Sequence, residues 1–387
     1  MATDIQKRQA RINTLKENII DSVTKRVAES VSVLSVREKN LALNDFEYAV
    51  GKLDLESTPE GVGIGAHYNC NARCIFCLGG KPKLFSLERY KDYFEPRLGA
   101  VISKARYVNF CGFGELFLMP DIEKFMDYVG QKYPQVNKIY TTNGSPLVKD
   151  TILDSLTQTK AVVQVSLHTS NRQLHGFLTK MNTFDQIVAG IKKLISMRKD
   201  KEHPAVVLVF LVNTLNIENL PAFIEFAASL GVDEVVCNYL TIFHQSDLKF
   251  SCFFKQDITV ENFKRAKELS VKLNMPVKLP PGFGEKARED KMHFCSDPWK
   301  YFYVENEGSV LPCCFAGDHV GYLDNTDFLT LWNGTQYKNL RNAISKGRTA
   351  QWCKYCYKYR SGNINDIRSH VNFRPGLSEK ILKGYKL

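Results

Sequence analysis

Cys70-Asn71-Ala72-Arg73-Cys74-Ile75-Phe76-Cys77 sets three cysteines at C-x3-C-x2-C spacing, and no other stretch limits the possible folds as tightly. An odd, tightly spaced trio cannot be a closed disulfide framework, because one thiol is always left over. Thiolates held this close on one loop are soft ligands for zinc or an iron–sulfur cluster. A structural tetrahedral site closes with four protein ligands, whereas a site that does chemistry keeps one position open. A four-iron cubane on Cys70, Cys74 and Cys77 would leave one iron for a small chelating molecule. A zinc knuckle completed by a distant His or Cys satisfies the same spacing.

With 387 residues the chain can bury a large core, enough for one large domain with appendages. Its 44% apolar and 24% charged residues are ordinary for a globular protein. The first residues, Met1-Ala2-Thr3-Asp4-Ile5-Gln6-Lys7-Arg8, are polar and lack a secretory pattern. The longest apolar run, 205–212, is too short to span a bilayer, so no membrane association is expected. Eleven cysteines without an export signal predict a reducing cytoplasm and metal sites rather than disulfides. A net charge of +11 admits an anionic partner such as a nucleotide-sugar, a phosphate ester, an acidic carrier protein or nucleic acid. The basic residues are scattered without a block, which reads as a solvated surface and argues against nucleic acid.

Residues 1–56 read as helix: Ile5, Ile12, Leu15, Ile19, Val23 and Val27 recur at helical intervals between charges. That pattern predicts a helix docked on the catalytic domain, or else a dimer seam or partner helix. From 61 to about 241 strands and helices alternate six times. Strands are expected at 61–68, 107–110, 138–142, 161–167, 205–212 and 234–239, and helices at 87–105, 121–133, 150–156, 184–198 and 220–230. Strands apolar on both faces and separated by helices imply a parallel sheet. Six such units predict an incomplete TIM-like barrel, with functional residues at the C-terminal strand ends, where the cysteine loop falls. A further helix at 260–273 precedes Pro276, Pro280, Pro281 and Gly282.

C-x3-C-x-aromatic-C after an apolar strand resembles the cluster loop of the radical S-adenosylmethionine (SAM) superfamily, whose (β/α)6 architecture agrees with the alternation. The resemblance implies a [4Fe–4S] cluster on Cys70, Cys74 and Cys77, whose open iron chelates SAM, with Phe76 beside the adenine. It implies reductive cleavage of SAM to a 5′-deoxyadenosyl radical that abstracts a substrate hydrogen, and an electron donor such as flavodoxin or ferredoxin. Gly112-Phe113-Gly114-Glu115 resembles the family's Gly-Gly-Glu motif, with Phe113 in the first glycine position and Leu116 in place of the usual proline. Gly112, Gly114 and Glu115 are thereby expected at the SAM amino group. Asn143 and Ser166, closing the third and fourth strands, match places of polar contact to the ribose and carboxylate. Lys180 stands where relatives often carry Arg, and offers a point charge rather than a bidentate fork. Asn213 is a further candidate that equally fits a helix cap.

Cys295, Cys313, Cys353 and Cys356 form a second set, C-x17-C with a distant C-x2-C, and supply the four thiolates that close a site. Spacing admits zinc or a four-iron cluster. The stretch from Cys295 through Pro298-Trp299, Gly308 and Cys313-Cys314, with Leu331-Trp332-Asn333-Gly334, resembles the SPASM/Twitch extension of radical SAM enzymes, which binds an auxiliary [4Fe–4S] cluster. The gap between Phe315 and Trp352 holds no cysteine, which favours a single auxiliary cluster. Cys313 rather than Cys314 keeps the Gly308-x4-Cys spacing.

Cys111, Cys237 and Cys252 lie outside both sets. Core packing is the default for each. Cys237, on the sixth strand, and Cys252, in the loop beyond, fall on the active-site side of the barrel and are also candidates for a thiol that returns hydrogen to a substrate radical, as in some radical SAM epimerases. His168 and His175 read as structural, with a base role as the alternative.

The fold expected is α/β: a partial (β/α)6 TIM-like barrel (57–245) with an N-terminal helical extension (1–56). A connecting segment (246–290) leads to a small C-terminal SPASM/Twitch-like auxiliary cluster domain and tail (291–387). The leading function is oxidation or epimerisation at a carbon of a small polar, sugar- or aminocyclitol-like metabolite. The alternatives are a peptide or protein maturase, and a non-catalytic zinc protein that binds nucleic acid.

Overall fold

A computed structural model describes residues 34–79, 84–199, 203–285, 295–313, 319–324, 326–348, 353, 355–356, 364–372 and 376–385. The helical pattern expected before residue 34, and Cys314, lie outside the described residues.

Six strands carry the parallel sheet: β1 (Gly61–Gly65), β2 (Tyr107–Cys111), β3 (Asn137–Thr142), β4 (Ala161–Ser166), β5 (Ala205–Val212) and β6 (Glu234–Tyr239). They pair in sequence order and all in parallel, so each connection crosses back over the sheet. Between them run α2 (Glu95–Ile102), α3 (Ile122–Lys132), α4 (Asp150–Thr157), α5 (Arg172–Thr179), α6 (Phe184–Ser196) and α7 (Leu220–Leu230). Helix α1 (Val36–Ala49) precedes them, and α8 (Gln256–Lys272) follows β6.

The helices form because apolar residues recur on one face. On α3, Ile122, Phe125, Met126 and Val129 are buried. They meet the outward-facing residues of the strands: Phe110 packs edge-on to Phe125 at 5.0 Å and Phe210 lies 4.9 Å from Phe223. Strand alternation turns every other side chain to the opposite, inner face. There Asn109, Thr141, Gln164, Ser166 and Asn238 are only half-buried.

The helix expected over 87–105 is broken. A short turn (Leu87–Arg89) passes through a π-helical segment, Tyr90–Phe94, into α2. The wider turn buries Tyr90, Tyr93 and Phe94 together. Helix α5, which lies outside the expected helical segments, is begun by the Asn171 side chain accepting from Leu174 N–H.

The C-terminal unit is not a separate layer. After α9 (Asp297–Lys300), β8 (Tyr301–Val304) pairs in parallel with β1, and β9 (Ser309–Leu311) and β10 (Gly321–Tyr322) continue antiparallel. With β7 (Val277–Lys278) beyond β6, the sheet has ten strands in the order β10-β9-β8-β1-β2-β3-β4-β5-β6-β7. Strand β1 reads Gly-Val-Gly-Ile-Gly. Val62 and Ile64 enter the core, while its glycines face inward and leave room for rings from both neighbours. A Cβ on Gly63 would lie 2.1 Å from the Tyr301 hydroxyl, and one on Gly61 2.2 Å from the Tyr107 ring.

Helix α1 straddles the barrel and the C-terminal unit rather than docking on the barrel alone. Arg37 donates to the Ala105 carbonyl, and Asn44 donates to that of Trp299 at 2.8 Å. Behind it follow α10 (Phe328–Trp332) and α11 (Thr335–Ser345). Buried Arg341 of α11 donates to the Pro298 and Leu53 carbonyls, both at 2.9 Å. These bonds hold Nε and Nη1 of a guanidinium that burial alone disfavours, while its Nη2 has no hydrogen-bond partner.

Candidate metal centre and its surroundings

The cysteine loop leaves the C-terminal end of β1 and is pinned at three places. Arg73 and Ile75 N–H donate to the carbonyls of Thr179 and Leu178 at the end of α5, at 3.0 and 2.9 Å. Asn71 donates to Ser145 Oγ at 2.9 Å, and Asn143 Nδ2 donates to Asn71 Oδ1 at 2.9 Å. Its approach runs beside the turn after β2: Tyr68 N–H bonds Phe113 O at 3.0 Å and Glu115 N–H bonds Asn69 O at 3.1 Å. Three loops that are distant in sequence thus meet around the thiols.

Cys70 and Cys77 are exposed and Cys74 is half-buried. Burial, with Cys77 and Cys70 beside it, pushes the Cys74 thiol up to about 12. Burial is also the leading cause that raises Cys70. Cys70 and Cys74 thus resist ionisation, and a bound cation reverses that balance. Donors already point at the sulfurs: Ala72 N–H to Cys70 Sγ and Gly79 N–H to Cys77 Sγ, both at 3.4 Å, with Asn143 Nδ2 3.9 Å from Cys70 Sγ. Soft donors on a mouth-facing loop, with N–H groups to hold their negative charge, fit a thiolate-bound iron–sulfur cluster.

Glu115 is fully enclosed. Its carboxylate accepts from Thr142 Oγ1 at 2.8 Å, Asn143 N–H at 2.5 Å and Phe117 N–H at 3.2 Å. Burial raises the carboxyl to about 7 against the pull of these donors. Glu115 therefore ties the turn after β2 to the end of β3 and sets Asn143 beside Cys70. Gly114 makes the close approach possible. Its φ is +103°, and a Cβ there would fall 1.6 Å from the Tyr68 carbonyl oxygen.

Phe76 packs edge-on to His168, ring centroids 5.5 Å apart. Burial lowers His168 to about 4, so the ring is neutral. His175 is enclosed on α5 with neither ring nitrogen hydrogen-bonded. Lys180, in the left-handed conformation that ends α5, is exposed and rests its ammonium 4.5 Å from the Phe177 ring centre. Asn213 serves its own turn, donating to Leu211 O and accepting from Leu215 N–H.

The placement expected for Cys237, on the active-site side of the barrel, is corrected. On β6 the inward residue is Asn238, so Cys237 turns outward with Val235 and Tyr239 into the core, 3% exposed. Cys252 is likewise enclosed, near Thr259 of α8. Burial raises both thiols. Cys111 does face inward, where it packs with Cys313 against Tyr303 and Leu311.

Of the second set, Cys295 and Cys356 are buried and Cys313 and Cys353 half-buried. Cys356 N–H donates to the Cys353 carbonyl at 3.1 Å, closing a tight turn across the C-x2-C. Sequence reasoning missed Asn71, Thr142 and Ser145, which adjoin the motifs. It also missed His67 and Glu305, which are 238 residues apart.

A family model described as the radical SAM superfamily matches residues 66–227, and one described as an iron–sulfur cluster-binding domain, SPASM, matches 295–357. A probable GTP 3′,8-cyclase of Saccharolobus islandicus is 32% identical over 217 residues, 55% of this chain and 66% of that protein. The GTP 3′,8-cyclase of Clostridium acetobutylicum is 27% identical over 171 residues, 42% and 51% of the two chains. The chain thus spans just under two thirds of the first relative's length and half of the second's. Among solved structures, Streptococcus suis SuiB bound to precursor peptide SuiA superposes with a TM-score of 0.61 at 15% identity, covering 96% of this chain and 89% of that one. Native anSMEcpe with bound AdoMet gives a TM-score of 0.58 at 14% identity, covering 83% and 95%. At such identities the likeness is one of fold.

Proposed function

The chain belongs to the radical SAM superfamily and carries a C-terminal SPASM cluster-binding domain, and from that premise we propose that it oxidises a carbon centre of a neutral, polar substrate. Its cofactors are [4Fe–4S] clusters and SAM. When bound and reduced, they supply the 5′-deoxyadenosyl radical that removes a hydrogen atom from substrate.

In this reading Cys70, Cys74 and Cys77 hold the catalytic cluster. Asn143 steadies Cys70 and, with Ser166, meets the polar groups of SAM. Gly112 and Gly114 let the backbone approach its amino end, and Glu115 holds that turn and lends it negative charge. Phe76, braced by His168, flanks the adenine, and Lys180 offers a cation at the rim. Cys295, Cys313, Cys353 and Cys356 hold one auxiliary cluster as an electron acceptor. A flavodoxin- or ferredoxin-like donor completes the system.

The observation that carries the substrate class is the inner face of the sheet. Asn109, Thr141, Gln164 and Asn238 line it, and the enclosed Asn109 Oδ1 has no hydrogen-bond partner. An orphaned acceptor on this polar inner face asks for a donor. No Lys or Arg stands among the described inward positions of β1–β6, which disfavours a triphosphate held inside, although GTP cyclases are among the relatives. Cys237 is turned into the core and Cys252 is enclosed as well, which favours oxidation over epimerisation. The same amides complement a peptide backbone, which favours a peptide or protein substrate as the second reading.

The test is anaerobic reconstitution followed by turnover with SAM, reductant and panels of sugars, aminocyclitols and peptides in heavy water. The expected result is 5′-deoxyadenosine together with a product lighter by two hydrogens. Deuterium gained at carbon would favour epimerisation instead. Absence of 5′-deoxyadenosine above the level given by Cys74→Ala would sink the reading, as would about two zinc and no sulfide in place of about eight iron.

A further inference from the structure

His67 lies three residues before Cys70 and is 5% exposed. Its Nε2 stands 2.7 Å from Glu305 Oε2, while its Nδ1 accepts from Phe113 N–H at 2.9 Å. Because Nδ1 is an acceptor, the ring proton sits on Nε2, and His67 donates to Glu305. The hydrogen-bond network thus assigns the tautomer.

Two glycines keep this bridge open. A Cβ on Gly112 would fall 2.5 Å from His67 Nδ1, and one on Gly65 would fall 2.7 Å from Glu305 Oε2. The rings of His67 and Phe113 stack with centroids 5.6 Å apart. Ligand atoms of His67, Glu305 and Glu307 come within 4.8 Å of one another, which admits a cation on distance alone. Ligation through Nε2 would require that nitrogen to lose its proton while Nδ1 still accepts Phe113 N–H. That makes the ring an imidazolate, so hydrogen bonding is the better account.

The pair joins two parts of the site. Phe113 belongs to the turn Gly112-Phe113-Gly114-Glu115. Glu305 opens the β8–β9 turn, its N–H donating to Ser309 O at 2.8 Å, and β9 leads directly to Cys313. We propose that His67 and Glu305 are positioning residues: the β8–β9 turn, through Glu305 and the His67 ring, fixes the Gly112–Glu115 turn in the conformation that binds SAM. The inference rests on the SAM-site reading above.

The experiment measures the SAM dissociation constant of the anaerobically reconstituted holoenzyme by equilibrium dialysis, with iron content determined on the same samples. His67→Gln keeps a donor toward Glu305 but removes the acceptor for Phe113 N–H, and should weaken SAM binding about tenfold at unchanged iron content, the scale of one hydrogen bond in a charge-assisted chain. Glu305→Ala should weaken it about fivefold, and Glu305→Gln, still able to accept from Nε2–H, should restore it to within about twofold. The His67→Gln/Glu305→Ala double variant should bind no more weakly than His67→Gln alone. Wild-type binding by Glu305→Ala or His67→Gln, or single effects that multiply in the double variant, would overturn the inference. Should His67→Gln lose its cluster, the Glu305→Ala and Glu305→Gln pair decides alone. Failure of the unaltered holoenzyme to bind SAM would overturn the site reading instead.

Discussion

Glu115 makes the sharpest statement at the level of one residue. Its carboxyl titrates near 7 in the folded chain and near 4.5 in the unfolded one. Below pH 4.5 both forms are protonated and folding loses nothing. As pH rises from there through 7 the unfolded chain releases its proton first, so stability falls, by about 3 kcal/mol at the limit. His168 runs the other way: lowered to about 4 from 6.5, it withdraws stability as pH falls below 6.5. Comparison with Glu115→Gln cancels that term. In metal-free protein, urea unfolding should show the wild type losing roughly 1–3 kcal/mol relative to the variant between pH 5 and pH 8. A pH-independent difference would mean an ordinary carboxyl. Cys74→Ala should lower the iron of reconstituted protein from about eight to about four per chain while the auxiliary set stays loaded, and total loss of iron would contradict two independent sites. The cysteine loop is legible in sequence because its ligands are neighbours. Cys237 is misplaced for want of strand parity, since β6 turns Asn238 inward and its neighbour outward. His67 and Glu305 leave no trace because nothing local marks a contact across 238 residues.

The six long strands are readable because each is an apolar run bounded by helices, and β5 and β6 fall where expected. Strands of two to four residues, β7 to β10, are too short to show a period and exist through the ladder they join. Helix α5 escapes for a similar reason: its eight residues, with Gly176 inside, span barely two turns. The turn after β2 is the element least tolerant of change. Gly114→Ala would strain a backbone at φ +103° and drive a methyl into the Tyr68 carbonyl. The expected cost is about 2–4 kcal/mol, read as a lower denaturant midpoint at unchanged slope, with SAM binding weakened in parallel. An unchanged midpoint would mean that the loop before Cys70 yields freely.

Across the whole molecule, the barrel and C-terminal unit expected as successive domains share one sheet. The first described helix with the segment after it, and the last third of the chain, are locked together by Asn44, by Arg341 donating to the Leu53 carbonyl, and by Trp332, whose indole donates to the Ser57 carbonyl at 3.1 Å. Both motif sets can be read from local spacing, but this continuity cannot, because β8 contributes only four residues and pairs with a strand 240 positions earlier. Strand β1 hydrogen-bonds β2 on one side and β8 on the other. A chain cut before Asp297 would present five residues of unpaired amides and carbonyls along a rim almost bare of side chains. Light scattering should find such a fragment self-associating where the full chain does not, and a monodisperse fragment would refute this. Any attempt to graft a different tail onto this barrel must therefore supply a strand as well as a cluster.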